Sequence, residues 1–144
     1  MKTFMYGAAM RWADMNAYGI VGDAAMVSYV EDARAAFIRH IDEATKGRED
    51  REGPGPQLVH LTLRQRIDYL KPLRWQARPL TVSLSVLRIR LAALEMLATV
   101  GPVDRPFARA RVLTVCWHNS RRRPHLITPF QRDSLMEYLA PEPP

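Results

Sequence analysis

Residues Arg11 to Arg34 read RWADMNAYGIVGDAAMVSYVEDAR, and this stretch decides the fold. It begins as the end of a strand, passes through a polar turn and enters a long helix. Asp14, Asn16, Gly19 and Gly22 supply turn chemistry between Ala13 and Gly22. Asp23 is a candidate N-cap, and apolar residues follow at helical spacing: Met26, Val30, Ala33, Phe37 and Ile41. The joint sets the orphan N–H groups of a helix N-terminus beside polar side chains. Such a place can hold a carbonyl oxygen or an oxyanion.

Working outward, Lys2 to Trp12 reads as a strand, with Gly7 as a candidate bulge. The helix runs from about Asp23 to Lys46, which at about 1.5 Å per residue is roughly 35 Å. The charged, Gly- and Pro-rich segment Gly47 to Pro56 ends it as a loop. Strand patterns follow at Gln57 to Tyr69, with one slip of register, and at Leu80 to Ile89, where Leu80, Val82, Leu84, Val86 and Arg88 share a face. Leu91 to Val100 has helix-forming composition, but its place between two strands at hairpin spacing makes it a strand. Phe107 to His118 alternates clearly, and Asn119 to Pro124 is a basic turn. Thr128 and Pro129 open a short terminal helix reaching about Leu139. The expected architecture is α+β: one domain over residues 1–144, in which a long helix lies across an antiparallel sheet and a short helix follows.

Composition narrows the function. With 144 residues and 47% apolar content, the chain can bury a real core. No apolar run is long enough to span a bilayer, and the N-terminal MKTFMYGAAMRW suits a strand better than a secretory segment. A cytoplasmic protein without membrane contact is the expectation. Cys116, the single cysteine, sits in an apolar strand pattern and reads as buried filler. The net charge of +6 favours anionic partners. Nucleic acid is disfavoured, because aromatic residues are only 8% and do not interleave with the basic run. His40, His60, His118 and His125 have no metal-ligand spacing, and His60 reads as a solvated residue on the polar face of its strand. There is no P-loop and no serine elbow.

The segments Trp12-Ala13-Asp14-Met15-Asn16-Ala17-Tyr18-Gly19-Ile20-Val21 and Tyr29-Val30-Glu31-Asp32-Ala33-Arg34 resemble the signature of the hotdog-fold acyl-CoA thioesterases of the 4-hydroxybenzoyl-CoA thioesterase type. Ile67 to Leu73, Ala108 to Arg111 and Leu126 to Pro129 fit the later parts of that pattern. The resemblance implies a hotdog domain whose sheet wraps the helix, pairing through sheet edges into a homodimer or homotetramer with the site between subunits. It implies an acyl-CoA or acyl-carrier-protein substrate and no cofactor, coenzyme A or phosphopantetheine being part of the substrate. This chain departs from the pattern at one position: the family's loop carboxylate is Asn16 here.

Thioester hydrolysis needs a donor for the oxyanion and a carboxylate that attacks or activates water. By the resemblance the donor is the backbone N–H of Asp23; the plain alternative is an N-cap. An amide at Asn16 cannot act as a base, so three readings stay open. Glu31, eight residues along the helix, supplies the carboxylate. Or Asn16 and Arg34 act as a pair, as in the hotdog thioesterases of enediyne polyketide pathways, whose spacing they share. Or the site binds acyl thioesters without cleaving them. Glu31 and Arg34 also read as a simple surface ion pair. Tyr18 and Gly19 of the loop, with Arg121, Arg122 and Arg123, complete the candidate set as substrate-binding residues, the arginines for coenzyme A phosphates or an acidic carrier.

Overall fold

The computed structural model describes residues 1–45 and 58–141. In chain order it contains β1 (Phe4–Ala8), a 3-10 turn (Trp12–Asp14), α1 (Asp23–Thr45), β2 (Leu58–Tyr69), β3 (Leu80–Ile89), β4 (Ala93–Val100), β5 (Ala108–His118), β6 (Arg123–Pro124) and α2 (Pro129–Met136). The strands form one antiparallel sheet in the order β1-β3-β4-β5-β2, with the two-residue β6 on β5. This is the α+β hotdog arrangement, with one long helix against the sheet.

The helix is where its apolar series places it. Met26, Val30, Ala33, Phe37 and Ile41 are all buried, together with Ala25 and Tyr29. They meet the inward faces of β3 (Leu80, Val82, Leu84, Val86), β4 (Leu94, Met96, Ala98, Val100) and β5 (Ala108, Ala110, Val112). Phe37 lies at the centre, its ring centroid 5.3 Å from Phe4 and 5.0 Å from Tyr138. Burying that stripe stabilises a helix too polar on its other faces to persist alone.

Several expectations are corrected. β1 is short, and Trp12 lies in the 3-10 turn rather than in a strand. Gly7 pairs in register with Thr81, so it makes no bulge. Asp23 is the first helical residue, not the cap; the Gly22 carbonyl accepts from the Met26 N–H at 3.2 Å. The expected slip in β2 falls between Thr62 and Arg64, and a second one lies between Val86 and Arg88 of β3. That second bulge turns Leu87 into a buried position and leaves Arg88 exposed, against the strict alternation expected of β3. The segment Leu91 to Val100 is a strand from Ala93, since pairing on both sides overrides helix propensity. α2 ends at Met136, short of Leu139; Thr128 caps it, accepting from the Gln131 N–H. The expected loop Gly47 to Pro56 lies outside the described residues.

Phe37→Ala should lower the unfolding free energy by about 3–5 kcal/mol, measured by denaturant titration. The cost falls at a side chain that is fully buried, among rings that cannot collapse into the space.

Candidate active site

The loop before α1 is held by Asp14. Its buried carboxylate accepts from the Arg11 N–H at 2.9 Å, from the Arg11 guanidinium at 2.9 and 3.1 Å and from the Tyr29 hydroxyl at 2.7 Å. Its carbonyl accepts from the Gly22 N–H at 3.0 Å, so one residue ties the 3-10 turn to the start of the helix. Burial pushes the Asp14 carboxyl toward the neutral form, but the hydrogen bonds from Tyr29 and Arg11 outweigh it and hold its pKa below the usual value. Desolvation and the hydrogen bond to Asp14 push the Tyr29 hydroxyl far up. No local pattern announces this contact, although Tyr29 falls on the same helical face as Met26 and Val30.

Asn16 closes an Asx turn: its Oδ1 accepts from the Tyr18 N–H at 2.9 Å and the Ile20 N–H at 3.1 Å. What remains for a ligand is the Nδ2 group, a donor, on an exposed residue. Gly19 takes φ +75°, which lets the turn reverse. The returning strand is then sewn to the segment after β2, with Val21 N–H on the Leu73 carbonyl at 2.8 Å and Trp75 N–H on the Gly19 carbonyl at 3.0 Å. Tyr18 is 83% exposed at the tip.

These bonds leave the N-terminus of α1 open. Among the described residues no backbone acceptor takes the Asp23 N–H. It lies at a cleft of about 400 Å³ lined by Ile20, Val21, Asp23, Met26 and the segment Tyr69 to Leu73. Burial and the neighbouring Asp23 carboxylate both raise the Tyr69 pKa, which places that carboxylate at the mouth. The cleft therefore combines an apolar wall, free N–H groups and the positive end of a helix dipole.

Glu31 and Arg34 lie further along α1. Arg34 Nη2 pairs with Glu31 Oε2 at 2.8 Å, Nη1 donates to the His60 carbonyl at 3.4 Å, and Thr62 Oγ1 donates to Glu31 Oε1 at 3.4 Å. The pair is buried at one end only: the Arg34 side chain is 11% exposed and the Glu31 side chain 39%, and both contact β2. Eight residues of helix separate Glu31 from Asp23, about 12 Å. Within one chain they cannot act on the same carbonyl. Arg121, Arg122 and Arg123 are farther still. They follow β5, an 11-residue strand whose start at Ala108 pairs with Tyr69 beside the cleft and whose other end, His118, is roughly 33 Å away. There Arg121 and Arg123 line a groove of about 780 Å³ with His118, His125 and Arg132. One chain thus places Asn16, Tyr18 and Gly19 in the turn that leads to Asp23, with Ile20 and Asp23 lining the cleft, and keeps Glu31 with Arg34 and the arginine run apart from them.

A profile of the thioesterase-like superfamily matches residues 10–135. The chain belongs to that superfamily. Among solved structures, this thioesterase-like chain is similar to a predicted thioesterase from Bacillus stearothermophilus, with TM-score 0.77, 17% identity, and 99% of this chain and 100% of that one covered. It is similar to a hypothetical protein from Staphylococcus aureus in complex with CoA, with TM-score 0.75, 15% identity, and 99% and 89% covered. A thioesterase from Thermus thermophilus complexed with coenzyme A and Zn gives TM-score 0.70 at 21% identity, with 93% and 92% covered. No curated protein matches the chain. No cluster of metal-ligating side chains occurs among the described residues, and no helix there is long and apolar enough to cross a membrane.

Tyr29→Phe should cost about 1–3 kcal/mol by leaving a buried carboxylate one donor short. The lowered pKa of Asp14 means its contribution is present above the unfolded value of about 3.9 and lost as the pH falls through the lower folded value. Below about pH 4 the stability of the native protein should therefore fall more steeply than that of Asp14→Asn, read from melting curves at a series of pH values.

Proposed function

We propose that this chain is an acyl thioesterase acting on acyl-CoA, with the thioester carbonyl held at the N-terminus of α1. The observation that carries the reading is the free Asp23 N–H at the mouth of an apolar cleft, at the end of the turn that Asn16 closes. The carbonyl oxygen accepts from Asp23 N–H and, as charge develops on it, from Asn16 Nδ2. Ile20, Met26, Leu70 and Leu73 receive the acyl chain. Asn16 cannot take a proton, so the carboxylate role falls to Glu31. Water adds to the carbonyl carbon and gives its proton to Glu31; the C–S bond then breaks and that proton passes to the departing thiolate.

The 12 Å between Asp23 and Glu31 makes this a two-chain site. β2 is an edge strand, and Leu61, Leu63, Tyr69 and Leu70 are exposed on or beside it. Antiparallel pairing of β2 with a second copy covers that edge. It also lays the partner's β2 start, and with it the end of its β5 and the arginine run, alongside this chain's Tyr69. The phosphates of coenzyme A would meet those arginines. Solved relatives holding coenzyme A support that carrier over an acyl-carrier protein. The locked Asn16 carbonyl also favours a second reading, a non-hydrolytic binder of acyl thioesters.

Hydrolysis of a panel of aromatic, medium- and long-chain acyl-CoAs and one acyl-carrier protein tests this. The native protein should turn over at least one acyl-CoA, and Glu31→Ala should lower kcat/KM by roughly 10²–10⁴ while the fold is retained. Silence from the native protein with activity switched on in Asn16→Asp would establish the binder instead. Turnover that survives Glu31→Ala would move the chemistry to Asn16 with Arg34.

A further inference from the structure

His60 was expected to be a solvated residue; it is not. It stands on the α1-facing side of β2 opposite Cys116, and its Nδ1 is buried without a hydrogen-bond partner. Arg34 Nε is buried and unpartnered in the same way. The two residues are already joined through Arg34 Nη1 and the His60 carbonyl, and Glu31 and Thr62 complete the cluster. Each unpaired buried atom carries a desolvation penalty that a partner would remove. One is a donor. With a guanidinium beside it the imidazole stays neutral, so one ring nitrogen accepts and the other carries the proton; the unpaired Arg34 Nε–H favours Nδ1 as the acceptor, with the proton on Nε2. Desolvation and the Arg34 charge push its pKa down to about 4, in keeping with that assignment. The titratable groups around it are Arg34 and Glu31 from α1 and Cys116 from β5.

An unpaired donor and an unpaired acceptor on two residues already in contact can both be satisfied by a single group that accepts from one and donates to the other, a water molecule. We propose that Arg34 Nε and His60 Nδ1 hold one water beside the Glu31 carboxylate, and that this is the water consumed in hydrolysis, with His60 as a positioning residue. The catalytic half rests on the thioesterase reading above; the water site does not. Arg34 then has two tasks, fixing Glu31 through Nη2 and the water through Nε. The step balances: the water oxygen bonds to the carbonyl carbon, its proton goes to Glu31, and the thiolate leaves with that proton.

Two variants and one spectroscopic measurement test this on the full chain. His60→Phe removes the acceptor; His60→Asn keeps an oxygen near the Nδ1 position. His60→Phe should lower kcat by about tenfold or more with KM nearly unchanged, and His60→Asn should recover most of the loss, both variants melting within a few degrees of the native protein. At pH 7 the ¹⁵N shifts of the His60 ring should report the Nε2–H tautomer, with Nδ1 hydrogen-bonded and a cross-peak to a long-lived water. An unchanged kcat in His60→Phe, or equal losses in both variants, overturns the positioning role. A protonated Nδ1 or no bound water overturns the site itself. If the native protein cleaves no thioester, the catalytic half falls with the thioesterase reading, and the ring spectrum alone decides the water site.

Discussion

Everything in this fold depends on covering one stripe of α1. The helix carries 23 residues, and its buried side chains all lie along the line from Ala25 to Thr45. A stripe of that length needs a sheet to lie against, and β3, β4 and β5 supply the apolar faces. The N-terminal end of the helix is not covered in the same way. At the N-terminus the chain arrives through a polar turn, and the hydrogen bonds of that turn are spent on its own residues and on Leu73 and Trp75. The helix N–H groups are left facing the cleft. A core requirement thus produces, as its by-product, a donor site with an apolar wall.

Asp14 and Asn16 illustrate how one short loop divides its polar work. Asp14 is consumed by structure: all of its acceptor capacity goes to Arg11 and Tyr29. Asn16 spends its carbonyl on the turn and keeps a donor. A carboxylate at position 16 could hold the same turn with one oxygen and offer the other to water. The amide cannot, and for this reason the proposed reaction takes its carboxylate from the helix.

Much of the fold was legible in the sequence because it rests on periodicity. The series from Met26 to Ile41 located the helix and its buried face, and the alternation of β5 separated Val112 and Thr114 from Arg109 and Arg111. What escaped was set by cross-strand register and by long-range contacts. The bulge at Val86 and Arg88 depends on how β3 meets β4, and no local pattern announces it. His60 looked solvated because its neighbours alternate with polar residues, yet it sits where α1 crosses the edge strand. The loop residues of the site were legible as turn chemistry. The separation of Glu31 from Asp23 was also legible, since it is a helical distance; the proposal that a second chain completes the site rests in addition on the cleft opening at one end of the helix.

The central claim is that the first turn of α1 receives the thioester carbonyl. The most direct test is a structure of the full chain with an acyl-CoA analogue in which a methylene replaces the thioester sulfur. The account predicts the ketone oxygen about 3 Å from the Asp23 nitrogen, with the acyl chain between Met26 and Leu73. An analogue bound with its carbonyl away from α1, and the Asp23 N–H unused, would contradict it.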